Sequence, residues 1–287
     1  MSDESLKRIT FFTKTPITCR VCETQFFKEE LLSGGGRLIA GNLTDELRRS
    51  YEPSKKFGEL FPLIYTVIVC PACFNAAYPQ DFAELKEDTV AKLKEDKERR
   101  LKSVSLVLKG LNFAEYRTLK EGAASYYLAM MSYDYFPHHF SPTFKRGLCA
   151  LRAAWLFGDL HRGGPGENYD YLSQLFYRKA RFFYLLALEQ AQTGEEPLDS
   201  SLNYGPDLDK NYGYEGFLFI TGLLDFKYGP RQDAQKRLKA LEYTKRVIAK
   251  LFGSGRASKS KPSAILEKSK ELYEQMSLEI KTLKGEG

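Results

Sequence analysis

Long apolar runs are missing from this chain of 287 residues. The longest, residues 60–70, is about half the roughly 18–20 residues that a membrane-spanning helix needs, and Pro62 interrupts it. The composition therefore excludes a membrane-spanning helix. The first eight residues are charged and lack the apolar core of a signal peptide, so we expect a cytosolic protein. With 43% hydrophobic and 28% charged residues, a disordered or fibrous chain is also excluded.

Histidine is scarce, and the sequence carries no catalytic signature. The imidazoles are His138, His139 and His161, and two adjacent histidines in an extended loop point in opposite directions. The carboxylates form no spaced acid and base pair. Loop packing therefore explains the histidines better than catalysis, and the sequence favours a protein that is not an enzyme. An enzyme of unknown reaction, with His138 or His139 in its site, stays open as an alternative.

Cysteines are few, but four of the five form two Cys-x-x-Cys pairs. The pairs are Cys19 with Cys22 and Cys70 with Cys73, and 47 residues separate them. A two-residue gap lets a tight turn direct both thiolates at one point, and two such turns complete the tetrahedral sulfur cage that Zn²⁺ prefers. The spacing therefore predicts a zinc site with these four ligands. Four thiolates leave no position for water, which indicates a structural and not a catalytic metal.

Other uses of the four cysteines fit less well. Disulfides are disfavoured in a reducing cytosol. A redox Cys-x-x-Cys usually opens a helix after a βαβ pattern, which is missing here. Iron–sulfur ligation and a redox role stay open beside zinc. The fifth cysteine, Cys149, falls in an apolar helical pattern and is predicted to be a small buried hydrophobe.

The segments around the cysteines are typical of a small β-rich zinc ribbon. Residues 63–69 are dense in β-branched and aromatic side chains and lead directly into Cys70. Residues 37–40 follow three glycines and form a second candidate strand. Zinc in such a ribbon would staple a unit too small to keep a core of its own.

Four stretches of the sequence carry a resemblance to a known family. They are residues 62–73, 76–82, 112–123 and 145–156. Together they resemble the bacterial family called domain of unknown function 2225, over most of residues 16–190 and only loosely in the C-terminal third. The resemblance implies a zinc ribbon with two Cys-x-x-Cys pairs, followed by a tetratricopeptide-like helical region. The family carries no established activity, so the resemblance implies an architecture and leaves the chemistry open.

One departure from the usual ribbon is visible at the cysteine turns. Zinc knuckles often place glycine after the second cysteine, where the backbone turns left-handed, but Glu23 and Phe74 occupy those positions. Asn75, one step later, is a residue that tolerates the left-handed conformation. We therefore expect the site to be kept with an altered knuckle geometry.

Apolar residues take helical spacing after the second cysteine pair. Residues 82–109 are highly charged and are predicted to form one connecting helix with a solvated face. Beyond it, apolar residues recur three and four apart in about six amphipathic segments. Three of these segments share a motif of a small, a large and an apolar residue. Its members are Gly122, Tyr126 and Ala129, then Ala180, Tyr184 and Ala187, then Ala234, Leu238 and Leu241.

The recurring motif is typical of the second helix of a tetratricopeptide unit, where a small residue lets two helices approach closely. The intervals of 58 and 54 residues exceed the ~34 residues of such a unit. Loops at 134–142, 161–168 and 193–211, rich in Gly, Pro or Asp, account for the excess. A generic helical bundle would show the same apolar stripes and stays an alternative. Repeat arrays usually present a groove to a peptide or a partner helix.

The net charge of +6 is concentrated at the C-terminus. Residues 227–287 hold 15 Lys and Arg against 7 Asp and Glu, a net +8, so the preceding residues carry −2. A basic segment beside a zinc ribbon can bind nucleic acid. The basic residues alternate with apolar ones as on ordinary helix faces, and only residues 256–261 form a dense patch. A nucleic-acid-associated factor is therefore the alternative to a protein-binding scaffold.

Aromatic residues are abundant, with 20 Phe and 18 Tyr, and most must lie in the core. Loop tyrosines are the better candidates for a partner-binding surface, because exposed aromatic side chains anchor interfaces efficiently. These candidates are Tyr133, Tyr135, Tyr204, Tyr212 and Tyr214.

We therefore predict a mainly α protein in three parts. A small β-rich zinc ribbon covers residues 1–80, a charged connecting helix covers 81–110, and a tetratricopeptide-like helical domain with a basic C-terminal part covers 111–287. The predicted function is a non-catalytic cytosolic scaffold or adaptor without membrane insertion. It binds structural Zn²⁺ through its four paired cysteines and a protein partner through its helical repeats.

Overall fold

The computed structural model describes residues 9–32, 34–164, 166–198, 205–252 and 263–285. Two features singled out from the sequence, Tyr204 and the basic patch at 256–261, lie outside these ranges. Helices dominate the described residues and the strands are short, which confirms a mainly helical fold. No helix in those ranges is long and apolar enough to cross a membrane.

Short strands between residues 10 and 77 form the N-terminal ribbon. They are β1 (Thr10–Phe12), β2 (Ile17–Thr18), β3 (Gln25–Phe26), β4 (Glu29–Leu31), β5 (Ile39–Leu43), β6 (Arg49–Glu52), β7 (Ile68–Val69) and β8 (Ala76–Ala77). They pair antiparallel as β1–β4, β2–β3, β5–β6 and β7–β8. Two-stranded ladders of this length are marginal in isolation. The ribbon therefore depends on contacts from elsewhere in the molecule.

The strand predicted over residues 63–69 forms only at its end, as β7. Pro62–Tyr65 is instead a 3-10 turn, which the fixed φ of proline starts at the first position. The carbonyl groups of this turn bond to the helical region and not to a strand. Tyr126 Oη, for example, donates to Leu63 O at 2.8 Å.

The charged segment predicted as one connecting helix is divided into three. It contains α1 (Pro79–Ala83), α2 (Glu87–Glu95) and α3 (Lys97–Val107). Asp96 separates α2 from α3, and its carboxylate accepts hydrogen bonds from Arg99 and Arg100. Arg100 is fully buried and donates to the backbone of Cys73. The segment therefore packs on the ribbon, and its face is not simply solvated.

Six long helices follow within the described residues, as the apolar periodicity predicts, and we call them the helical array. They are α4 (Leu119–Ser132), α5 (Pro142–Gly163), α6 (Tyr169–Thr193), α7 (Gly213–Tyr228), α8 (Ala234–Ala249) and α9 (Ser263–Lys284). Thr118 and Glu121 form a capping box at α4, Pro142 opens α5 and Asp233 caps α8. Consecutive helices pack on each other, and α5 with α6 form the most extensive pair.

The small residue of the predicted repeat motif has a different role in α4. A Cβ on Gly122 would lie 2.6 Å from the Cβ of Ile64 in the 3-10 turn, so this glycine admits the ribbon and not a second helix. Paired helices are brought together by other glycines. Gly147 of α5 faces Tyr184 of α6, and Gly222 of α7 faces α8.

The ribbon and the helical array share one hydrophobic core. Buried side chains form a continuous cluster from Cys19 to Ile280, across the boundaries predicted at residues 80 and 110. Buried polar contacts join the two regions as well. Lys145 of α5 donates to Asp81 of α1 at 2.7 Å, and Tyr133 Oη donates to the same carboxylate at 2.6 Å. The ribbon is therefore held firmly against the array.

We expect Gly122→Ala to destabilise the protein by about 1–3 kcal/mol, because its methyl group collides with Ile64 in a packed interface. Gly158→Ala in α5 is the matched control, since an added Cβ there meets only Ser173 Oγ, at 3.7 Å. The free energy of unfolding of this control should equal or exceed that of the wild type, because alanine favours a helix by roughly 1 kcal/mol over glycine. Urea unfolding measures both variants, and equal effects would contradict the close approach of the ribbon to α4.

Candidate metal centre

The four predicted metal ligands lie on two turns of the same construction. Cys19 and Cys22 lie between β2 and β3, and Cys70 and Cys73 lie between β7 and β8. In each turn, the N–H of the first cysteine donates to the carbonyl five positions on, at 2.9 Å. Its own carbonyl accepts from the N–H four positions on, at 2.7 and 2.9 Å. This repeated bonding fixes the backbone from which each pair of thiols projects.

The two turns bring the four thiols together. All four sulfur atoms lie within 4.8 Å of one another, with 3.7 Å between Cys19 and Cys73 and 3.5 Å between Cys22 and Cys70. A tetrahedral thiolate site with metal–sulfur bonds of about 2.3 Å has its sulfur atoms about 3.8 Å apart. Three of the thiols are buried, Cys22 is half-buried, and none is in a disulfide. The cluster therefore fits a closed site for one metal ion.

The knuckle geometry is not altered in the way expected from the sequence. Glu23, at φ 63°, and Phe74, at φ 55°, take the left-handed conformation directly after the second cysteine of each turn. Asn75 is not among the residues with positive φ. The conformation costs a residue with a side chain roughly 1–2 kcal/mol. Packing offsets part of this at Phe74, whose ring lies 5.2 Å from that of Phe113 in an edge contact.

Hydrogen bonds among the thiols separate their pKa values. Bonds with Cys70 and Cys73, together with the amides of Cys22 and Val21, lower the pKa of the Cys19 thiol to about 2. The pKa of Cys70 rises to about 12 because its thiol bonds to the Cys19 sulfur, and the pKa of Cys73 rises for the same reason. Thiolates this close repel one another, so all four lose their protons only around a cation.

Arg100 stabilises the second cysteine turn. Its Nη2 donates to Cys73 O at 3.2 Å, while Nη1 donates to Leu93 O at 2.8 Å and to the Asp96 carboxylate at 3.2 Å. A divalent ion with four thiolates carries a net charge of −2, so a buried cation beside the turn lowers the electrostatic cost of the site. The α3 helix thereby takes part in holding the centre.

The fifth cysteine and the adjacent histidines are not part of the centre. Cys149 is fully buried in α5, as predicted for a core residue, and this burial raises the pKa of its thiol to about 12. His138 Nδ1 lies 3.8 Å from a carboxylate oxygen of Glu196, and the His139 ring packs on Phe140. Among the described residues, no histidine joins a group of side chains that could share a metal ion.

The tyrosines predicted to bind a partner differ in accessibility. Tyr133 and Tyr212 are only 1% and 5% exposed, so the expectation that they form a binding surface is corrected. The loop after α4 packs inward, and the Tyr133 hydroxyl bonds to buried Asp81. Tyr135 is half-buried, with its hydroxyl donated to the carboxylate between α2 and α3. Tyr214 is 43% exposed and stays a candidate.

The β5–β6 hairpin inserts its turn into a groove of the helical array. We call residues 44–48 the hairpin tip, and the helix residues that hold it the cradle. The cradle consists of Trp155 and Asp159 of α5, Tyr177 of α6, Lys227 of α7 and Lys268 of α9. Glu46 of the tip accepts hydrogen bonds from Trp155 Nε1 and, at 2.7 Å, from Tyr177 Oη. Lys227 Nζ lies 3.5 Å from the same carboxylate.

Leu47 anchors the tip between these polar contacts. Its side chain is fully buried, which stabilises docking by roughly 2 kcal/mol. Its φ of 58° is left-handed, and a backbone hydrogen bond within the turn, from its N–H to Thr44 O at 3.1 Å, holds this conformation. Ion pairs of the neighbouring residues add to docking. Arg48 pairs with Asp159, and Asp45 lies 3.3 Å from Lys268.

A second groove lies open between α6 and α8. Its cavity of about 530 Å³ is lined by Arg181, Leu185, Glu189, Asp225, Ala240 and Tyr243, among others. Tyr243 is 38% exposed, and Phe182, next to Arg181, is 57% exposed. Partial burial, and secondarily the charge of a deprotonated Tyr243, raise the pKa of Tyr214. Exposed aromatic side chains beside a groove are typical of a protein-docking surface.

Several basic residues of the C-terminal part are engaged in ion pairs. Arg237 pairs with Glu279 at 2.6 Å, and Lys284 pairs with Glu242 at 2.8 Å. Two further lysines belong to the cradle and face the acidic hairpin tip. The first two pairs lie within residues 227–287 and are already counted in the net charge of +8, so only the two cradle lysines offset part of that excess with acids from elsewhere in the chain.

Some functional residues are not apparent from the sequence. Arg100 stands in a run of charges that is typical of a solvated helix, and the hairpin tip is a short charged turn with one leucine. The one sequence feature that could have pointed to the cradle is Trp155, the single tryptophan of the chain. A buried indole N–H needs an acceptor, and this one requires a distant carboxylate.

Sequence comparisons place the chain among bacterial proteins. The profile of the family described as "Uncharacterized protein conserved in bacteria (DUF2225)" matches residues 12–276. An uncharacterized protein of Borreliella burgdorferi is 43% identical over 279 residues, which span 97% of this chain and 100% of that protein. No solved structure matches the chain. The family resemblance seen in the cysteine and helix motifs is thereby confirmed and extends to most of the C-terminal third.

Purified protein should contain about one metal ion per chain, because a closed four-thiolate site holds a single ion. Cys70→Ser should lose the ion and unfold the ribbon, since metal binding supplies folding free energy. Cys149→Ser is the matched control and should keep the ion. Elemental analysis and circular dichroism measure both. A wild-type protein without metal, whose stability is unaffected by chelators, would contradict the assignment.

Glu23→Gly should stabilise the metal-loaded protein by about 0.5–1 kcal/mol, because glycine takes the left-handed conformation without steric cost. Glu52→Gly makes the same chemical change in the extended backbone of β6 and should destabilise by a similar amount. Guanidinium unfolding compares the two variants. If Glu23→Gly destabilised the protein as much as Glu52→Gly, that result would contradict the left-handed conformation assigned to Glu23.

Proposed function

The chain belongs to the bacterial protein family DUF2225, and we propose that it is a non-catalytic, zinc-stapled scaffold that binds a protein partner through its helical array. The proposal joins a closed sulfur centre, which holds the ribbon in shape, to an array that offers grooves for polypeptide. We place the protein in the cytosol, where cysteine thiols stay reduced and free to bind metal.

Zinc is the metal we propose for the four-sulfur centre. The sulfur spacing suits tetrahedral coordination, and an all-thiolate set with Cys-x-x-Cys spacing is a common structural zinc site. Zinc supplies folding free energy at such a site and leaves no coordination position for water. The chain itself contributes the four thiolates and the nearby charge of Arg100.

We further propose that the array is tetratricopeptide-like. Its pairs α5–α6 and α7–α8 are each closed by a glycine of the first helix, Gly147 and Gly222, against the second helix. The last helix, α9, packs on both members of the α7–α8 pair, as a terminal cap would. Stacked helix pairs of this kind present grooves that receive peptides or partner helices.

The observation that carries partner binding is the aromatic border of the α6–α8 groove. Tyr243 lines the groove and is 38% exposed, and Phe182, which follows the lining residue Arg181 in the sequence, is 57% exposed. Covering such side chains removes apolar surface from water at a small cost in conformational entropy. Arg181 and Asp225, paired at 2.7 Å, add polar groups that could orient a partner. Nucleic-acid binding has less support, because Arg237, Lys284 and the two cradle lysines are already engaged in ion pairs.

Phe182→Ala combined with Tyr243→Ala should reduce capture of a protein partner at least ~10-fold, since loss of anchor aromatics typically costs more than 1 kcal/mol each. The measurement is quantitative mass spectrometry after affinity capture from native cells at near-physiological salt. Tyr171→Ala is the matched control, because Tyr171 is 66% exposed on α6 but lines a different cavity, near the start of that helix.

Failure to enrich a specific protein with the wild type, or full retention of the partner by the double variant, would contradict the proposal. Binding of DNA or RNA that weakens steeply as salt rises would instead favour the nucleic-acid alternative. The Tyr171→Ala control should keep the partner, which would show that the effect of the double variant comes from the groove and not from a general loss of exposed aromatic surface.

A further inference from the structure

The hairpin tip occupies the cradle through contacts that a segment of another protein could also make. We infer that the cradle is a docking site for a partner segment in which two acidic residues precede a leucine, and that the hairpin tip fills this site until such a segment displaces it. The cradle is a different surface from the α6–α8 groove, so either can fail without the other.

The donors of the cradle select a carboxylate. Trp155 Nε1, Tyr177 Oη and Lys227 Nζ converge on the Glu46 side chain, which is only 13% exposed. Two of these groups are neutral donors and the third is a cation, so an ionised acid satisfies all of them at once.

Neighbouring contacts define the rest of the recognised sequence. Asp45, before the central acid, lies 3.3 Å from Lys268 and 3.9 Å from Lys227, which favours a second negative charge. Leu47, after it, is fully buried, so this position selects an aliphatic side chain. The cradle should therefore recognise a segment in which two acidic residues are followed directly by an aliphatic residue.

The hairpin can leave the cradle as a unit. Within the described ranges, β5 and β6 pair only with each other, and none of their residues is buried. Gly34, Gly35 and Gly36 precede β5, all with positive φ, and a Cβ on Gly34 or Gly36 would meet no atom within 4 Å. Three consecutive glycines, two of them with open surroundings, supply the backbone freedom of a hinge. Movement at this hinge would break no strand pairing outside the hairpin.

Two features set the balance between the hairpin and a competitor. Arg49 favours the docked position of the hairpin. Its backbone N–H donates to Asp207 at 2.6 Å and its Nε donates to Asp209 at 2.9 Å. As part of the same chain, the tip also has a high effective concentration.

A fluorescently labelled linear peptide with the sequence of residues 42–50 is the probe for this site. Its affinity for the full-length, metal-loaded protein is measured by anisotropy, for the wild type and for a release variant, Glu46→Gln with Leu47→Ala. The release variant should bind the probe at least ~10-fold more tightly, because its resident ligand is weakened. Adding Tyr177→Phe and Lys227→Met to the release variant should abolish the gain. A probe with Gln in place of its second acid is the peptide control and should bind weakly.

Equal affinity of the wild type and a folded release variant for the probe would overturn the proposal. Amide hydrogen exchange on the wild type gives a test that does not depend on the variant's folding. Saturating probe should increase exchange over residues 39–52, and unchanged exchange there would overturn the proposal. A concentration-dependent dimer that Leu47→Ala abolishes would assign the cradle to the hairpin of a second copy, and would overturn it too.

Discussion

Closure of a long loop by four thiolates is the constraint on which the N-terminal region depends. The two cysteine turns enclose 47 residues, and cross-linking a loop of that length restricts the unfolded chain by about 4 kcal/mol on the scale used for disulfides. That loop contains β3 to β7, including the β5–β6 hairpin, and the 3-10 turn at Pro62–Tyr65. These elements are too short to form a core alone. A metal ion bound at the closure point would therefore restrict the conformations open to all of them.

Contacts with the helices then fix the enclosed loop at its middle and at its end. In the middle, Glu46 and Leu47 of the hairpin tip enter the cradle. At the end, Ile64 packs into the space that Gly122 leaves on α4. The metal centre and the surface of the array are consequently linked, because the hairpin whose tip covers the cradle belongs to the loop that the centre closes. Metal binding and access to the cradle would be coupled through this one segment.

Features encoded within a few residues are predictable from the sequence, and features that join distant segments are not. The metal ligands follow from Cys-x-x-Cys spacing, and the long helices follow from apolar periodicity. The left-handed Glu23 escapes prediction because the sulfur cluster imposes a conformation that glutamate avoids by itself. Burial of Tyr133 depends on Asp81, 52 residues away, and the Glu46 site depends on Tyr177, 131 residues away. Neither local segment contains a signal for its partner.

Amide hydrogen exchange before and after removal of the metal tests most directly whether the sulfur centre organises the ribbon and its hairpin. We expect metal removal to raise exchange over residues 17–26, 39–52 and 62–77, while the core of α5 and α6 keeps its protection. Elemental analysis of the same sample establishes that the metal is gone. Unchanged protection of the three ribbon segments in metal-free protein would show that the fold of the ribbon does not depend on the centre.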